Sequence, residues 1–188
     1  MLLLLKGYVM SLEQLKAKLI VQYSERDVIT NRAVRGVRGI EYIKNPSEEA
    51  QLAAVTESGY AILHIDNPSE AVQLAAVTEN SRAIQYIKNP SEAVQLAAVS
   101  EYGLAIQFIK NPSEAVKLAA VRNDGLFIRL IDNPSEEVQL AAVTSYGWVI
   151  EYIDNPSEVV KEKVLSFAFG DGDLYNTISQ LDWFKELS

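Results

Sequence analysis

The sequence predicts an all-α fold: a right-handed α-solenoid of 22-residue helix-turn-helix repeats with helical caps. Three observations carry that prediction. The tetrapeptide Asn-Pro-Ser-Glu starts at Asn45, Asn67, Asn89, Asn111, Asn133 and Asn155, always 22 residues apart. Each copy leads into a run such as Leu96-Ala97-Ala98-Val99, whose helix formers and small side chains let neighbouring helices approach closely. Proline recurs in every unit and period-two alternation is absent, which argues against strands.

Taken in chain order, residues 1–22 are read as an N-terminal leader and capping helix. Residues 23–165 are read as the repeats, with degenerate first and last units, and 166–188 as a C-terminal capping helix. The apolar tract Leu2 to Leu5 is too short for a signal-peptide core or a bilayer span, and is expected to cover the end of the core. Met10 is an alternative start. Ser11 and Gln14 have the spacing of a helix-start capping box, and Leu12, Leu15, Leu19 and Ile20 give the helix after them an apolar face.

Within a repeat, Asn at the first position is expected to cap helix A, with Pro at the first helical position and Glu in the first turn near the positive end of the dipole. Gly59, Gly103, Gly125 and Gly147 follow at the fifteenth position, where a left-handed helix stop is expected. Ser81 replaces that glycine in the second copy, predicting a strained or differently shaped turn. A short helix B of α or 3₁₀ type follows, and the next Asn-Pro ends it. Its core face is expected to use positions such as Ala61, Ile62 and Ile65. After the break at Gly170-Asp171-Gly172-Asp173, one last helix carries Leu174, Ile178, Leu181, Phe184 and Leu187.

This combination resembles the short two-helix α-solenoids, chiefly the leucine-rich-repeat-variant type with alternating α and 3₁₀ helices, and more loosely HEAT-like arrays. The Asn-Pro starts, the Leu-Ala-Ala-Val run and the paired isoleucines of helix B carry the resemblance over residues 23–165. At 22 residues the unit is shorter than most such repeats. The resemblance implies binding without a catalytic motif and specifies no partner.

Composition narrows the function. The chain has 188 residues, of which 48% are hydrophobic, enough for a sizeable core. Its formal net charge of −8 argues against direct nucleic-acid binding. That charge is uneven, at net +4 over residues 1–44 and net −12 over 45–188. There are no cysteines and a single histidine, His64, so disulfides, thiolate nucleophiles and two-histidine metal sites are excluded. No phosphate-cradling glycine loop or nucleophile elbow is present. Asp171-Gly172-Asp173 is only a fragment of a calcium loop. No enzyme, no cofactor, no metal and no membrane contact are expected, and the location expected is cytoplasmic.

The candidate interaction surface lies on helix B. At about 100° per residue, the sixteenth and twentieth positions project away from its core face, one turn apart. The sixteenth position holds Arg38, Tyr60, Arg82, Leu104, Leu126 and Trp148. The twentieth holds Tyr42, His64, Tyr86, Phe108, Leu130 and Tyr152. This ladder predicts a protein-binding scaffold, with inhibition as one form of that role, because exposed aromatic and arginine residues dominate interfaces. The competing reading is that the rings pack sideways between successive B helices. A second functional reading is an acidic nucleic-acid mimic that inhibits a host nucleic-acid enzyme or defence nuclease, of the viral anti-defence type.

Three further features read as ordinary surface. The seventh position (Gln51, Gln73, Gln95, Lys117, Gln139, Lys161) is expected on a solvated outer face of helix A. The fourteenth (Ser58, Asn80, Tyr102, Asp124, Tyr146) is expected to be neutral surface beside the turn. Arg32, Arg35 and Arg38 line one face and balance the acidic body. The oligomeric state expected is a monomer or weak homodimer, bound to a protein partner.

Overall fold

The computed structural model describes residues 2–5, 8–11, 13–14, 39–168 and 172–185. Two compact units divide the chain, Met1–Val94 and Gln95–Ser188. In each, helix pairs follow one another in sequence and pack on their neighbours, the arrangement of an α-solenoid. The expected capping helix, apart from residues 13 and 14, and the degenerate first unit up to residue 38 lie outside the described residues. So do Arg32, Arg35, Arg38 and Asp171.

The first unit opens on an element that a helical reading does not contain. Leu2–Leu5 pairs antiparallel with Tyr8–Ser11, with Leu5 opposite Tyr8. The capping box forms as its spacing requires: Ser11 N–H donates to Gln14 Oε1 at 2.9 Å, and Gln14 N–H to Ser11 Oγ at 3.2 Å. Beyond it, helices Glu48–Glu57 and Glu70–Glu79 pack on each other and on the B helices Gly59–His64 and Ser81–Tyr86.

The second unit continues the alternation. Its A helices Glu114–Asn123, Glu136–Ser145 and Glu158–Ala168 are α-helical, and its B helices Gly103–Phe108, Gly125–Leu130 and Gly147–Tyr152 are 3₁₀. The core repeats as well. Helix A buries its sixth, tenth and eleventh positions, as at Val116, Ala120 and Val121. Helix B buries its predicted face, as at Ala61, Ile62 and Ile65 in the first unit and Ala105, Ile106 and Ile109 in the second.

Local grammar differs from expectation at three positions. The N-cap of helix A is serine, not asparagine: Ser69 and Ser135 adopt extended angles and accept from Val72 and Val138 N–H at 3.4 and 3.3 Å. Glutamate is therefore the first helical residue. Asn45, Asn67, Asn111 and Asn133 instead hold φ between 47° and 55°, a left-handed conformation that asparagine tolerates better than most residues and an N-cap does not use.

The glycines are not left-handed stops. The residue before each is extended and caps the N-terminus of the 3₁₀ helix, with φ between −156° and −144°. What requires glycine is close approach. A Cβ on Gly59 would lie 2.4 Å from the Ala76 carbonyl oxygen, and one on Gly125 2.6 Å from that of Ala142. Ser81 accordingly starts its 3₁₀ helix as the glycines do, after Asn80 at φ −149°. The fourteenth position is not neutral surface throughout, because Asn80 and Asp124 accept from Arg82 and Leu126 N–H at 3.0 and 2.9 Å.

Serine and glutamate also tie repeat to repeat. Ser69, Ser91 and Ser135 each donate Oγ–H to the glutamate one repeat earlier, Glu48, Glu70 and Glu114. The thirteenth position ties repeats in the opposite sense, accepting from the repeat before it: Gly59 N–H donates to Glu79, and Gly103 N–H to Asn123 Oδ1 at 3.2 Å.

At the C-terminal end the expected single helix is two, Gly172–Ile178 and Asp182–Lys185. Ser179 Oγ–H bonds back to the Asn176 carbonyl at 2.8 Å, and the backbone bonds at Gln180 and Leu181 tighten to a three-residue span, which ends the first helix. Gly172–Ile178 packs on Gly147–Tyr152 and Glu158–Ala168, with Leu174 and Ile178 buried. Leu187 lies outside the described residues. Among the described residues no helix is long and apolar enough to cross a membrane.

Candidate functional site

Two features of each unit face outward with defined chemistry: the helix-B rim and a series of notches between successive repeats. The rim is both exposed and laterally packed. In the first unit Tyr42, Tyr60 and His64 are half-buried, while Arg82 and Tyr86 are exposed. Tyr60 meets Tyr86 of the next repeat edge to face at 5.9 Å. Sideways packing thus occurs without hiding the ring of Tyr86.

In the second unit Leu104, Phe108 and Leu126 are half-buried, and the rim opens toward its C-terminal repeats. Leu130, Trp148 and Tyr152 are exposed. Trp148 stands 6.1 Å from Tyr152, four residues on, in a T-shaped pair. Tyr146 joins them, 6.0 Å from Trp148. Exposures of 46%, 38% and 42% for Tyr146, Trp148 and Tyr152 make this the largest cluster of exposed rings on one helix B and its N-cap among the described residues. Tyr146, from the fourteenth position, is a member that periodicity on helix B alone does not select. The Tyr152 phenol is held above its ordinary value, first by its hydrogen bond with the Glu151 side chain, then by desolvation and by that residue's charge, with Arg129 pulling the other way.

The notches lie where a B helix runs into the Asn-Pro turn. Four of these open notches have volumes of about 550, 510, 360 and 460 Å³. Their seventh-position residues are Gln139, Lys117, Lys161 and Gln73 in that order. This corrects the outer-face reading of the seventh position. The side chain folds back over its own turn: Gln73 and Gln139 donate Nε2–H to the Pro68 and Pro134 carbonyls, each at 3.0 Å. Helical phase alone places it outside, but the proline carbonyl, which has no backbone partner here, draws it in.

Lysine at the same position behaves differently. Lys117 and Lys161 are only 19% and 20% exposed, and each pairs with the glutamate three residues earlier, Glu114 at 3.6 Å and Glu158 at 2.7 Å. Lys161 also stands 5.6 Å over the Trp183 ring. Gln73 and Gln139 supply no charge there, and their Oε1 atoms are buried and accept no hydrogen bond.

Residues at the twenty-second position bring charge to each notch, beside Arg129 in the Gln139 notch and the lysines at the seventh position. Asp66 and Lys88 line the Gln73 notch, Lys110 and Asp132 the Lys117 notch, and Asp132 and Asp154 the Gln139 notch. Among the described residues no group of three or more histidine, aspartate or glutamate side chains could hold a metal ion. Comparison with known proteins finds no matching family model, no matching curated protein and no matching solved structure.

Proposed function

We propose that this chain is a non-enzymatic protein-binding scaffold that captures a partner on its helix-B rim, and that it belongs with the leucine-rich-repeat-variant type of solenoid. The alternation of α and 3₁₀ helices supports the second statement. The observation that carries the first is the exposed cluster Tyr146, Trp148 and Tyr152, with Leu130 exposed on the preceding B helix. Tryptophan and tyrosine held in place by ring packing are the side chains that most often anchor an interface, because they bury much apolar area with little rotamer entropy to lose. Charge mimicry receives less support: Glu48, Glu70 and Glu114 already accept hydrogen bonds from the next repeat's serine, which ties them to the frame. With this reading we propose a cytoplasmic monomer or weak homodimer, with inhibition as one outcome of capture.

The test is affinity capture from the native host with wild-type chain and with Trp148→Ala plus Tyr152→Ala, read by mass spectrometry. A protein enriched by the wild type and lost from the double variant, at unchanged far-ultraviolet circular dichroism, is the expected result. Equal enrichment by both would remove the rim from consideration.

A further inference from the structure

We infer that the rim around Trp148 pairs with the same rim of a second copy of this chain, about a two-fold axis that runs between the B helices Gly125–Leu130 and Gly147–Tyr152. This rests on the reading of the rim as an interaction surface and names an occupant for it. The patch lies wholly within the second unit, where those two helices pack side by side.

Successive repeats present equivalent positions one repeat apart. A two-fold axis in the interface, parallel to the two helices and midway between them, exchanges them. Each position of Gly125–Leu130 then faces the equivalent position of Gly147–Tyr152 in the second copy, and the reverse. Self-pairing is therefore read by comparing equivalent positions.

The nineteenth position holds Arg129 in one helix and Glu151 in the other, both exposed. The axis forms that pair twice, Arg129 of each copy against Glu151 of the other. Among the described residues the nineteenth position runs Glu41, Leu63, Gln85, Gln107, Arg129 and Glu151, and only the last step joins opposite charges. Arg129 forms no ion pair with another described residue of its own chain. The Glu151 carboxylate is bonded to the Tyr152 phenol and keeps acceptor capacity for a guanidinium.

The sixteenth and twentieth positions match large against small. Trp148 comes to face Leu126, and Tyr152 to face Leu130. Rings of one copy thus meet the shorter side chains of the other. Leu130, Trp148 and Tyr152 are each more than a third exposed, so they have apolar area to bury there. A foreign surface would have to match this pattern independently, whereas a second copy matches it by symmetry. The twenty-second position opposes the pairing, because Asp132 comes to face Asp154, both exposed. That like-charge contact keeps the association weak.

Sedimentation equilibrium of the full chain, at concentrations up to about 1 mM, tests the pairing. The wild type is expected to show a monomer–dimer equilibrium. Arg129→Glu and Glu151→Arg each put two like-charge contacts into the homodimer and should raise its dissociation constant about ten- to thirtyfold. Mixing the two variants should restore association to near the wild-type level, because each supplies the charge that the other has lost. Asp132→Asn should tighten the dimer about two- to fivefold. A monomer at every concentration overturns the proposal. So does a dimer that neither single variant weakens, or one that the mixture fails to restore. If Glu151→Arg does not fold, opposite shifts from Arg129→Glu and Asp132→Asn decide. Partner capture that depends on Trp148 while the chain stays monomeric sinks this pairing alone. Pairing that follows the charge exchange, with no captured protein lost on Trp148→Ala plus Tyr152→Ala, sinks foreign-partner capture alone.

Discussion

The notches at Gln73 and Gln139 are built from the same positions of the repeat and carry different chemistry. Ile62, Ile65 and Pro68 line one, and Ile128, Ile131 and Pro134 the other. Each has a tyrosine, Tyr86 or Tyr152, and each has a glutamine amide tied to a proline carbonyl. They part at Leu63 against Arg129 and at Lys88 against Asp154. All four of those residues are exposed, where exchange costs the fold little. The shared isoleucines are buried, and the shared glutamine amides and proline carbonyls are hydrogen-bonded, so a change in volume or a lost partner there is felt directly. One frame therefore supports notches of different charge.

The comparison can be broken at its frame. Ile62→Ala and Ile128→Ala remove side chains that are 2% and 1% exposed, and each should lower stability by about 2–5 kcal/mol. Urea denaturation followed by circular dichroism measures both. A loss at one site only would show that the two notches do not share a frame. A smaller effect, about 1–3 kcal/mol, is expected for Gly59→Ala and Gly125→Ala, whose new Cβ would press on the Ala76 and Ala142 carbonyl oxygens. Gly147→Ala sharpens this prediction. Its Cβ would meet the Leu174 side chain at 2.8 Å, and a side chain can rotate where a backbone oxygen cannot, so its loss should be the least of the three. Smallest are Ser69→Ala and Ser135→Ala, at about 1 kcal/mol each for the lost cap. Faster amide hydrogen exchange at Val72 and Val138 would report it, and unchanged exchange at both would refute the capping role.

Much of this architecture was legible before any coordinates. The 22-residue period, the two helices per unit, the buried face Ala61, Ile62 and Ile65, and the Ser11–Gln14 capping box all follow from spacing and residue type. The rim was legible as a ladder, because one turn separates Trp148 from Tyr152. The cap residue was not, since Asn and Ser are both good caps and only the left-handed φ of the asparagines decides between them. Nor was the reason for glycine, which is not a turn but the neighbouring helix lying against it. The two-stranded pairing of Leu2–Leu5 with Tyr8–Ser11 went unread because so short an apolar run has no period to distinguish strand from helix.

By itself the sequence determined what repeats: a 22-residue period of helix formers and breaks, read from spacing and residue type. Only the tertiary structure decided what lies between units. The serine–glutamate bonds, the approach of a glycine to the next carbonyl, and the notch that encloses Gln139 all join residues about one repeat apart. Helical periodicity carries no information across that distance, because stacking, and not phase, brings those atoms together.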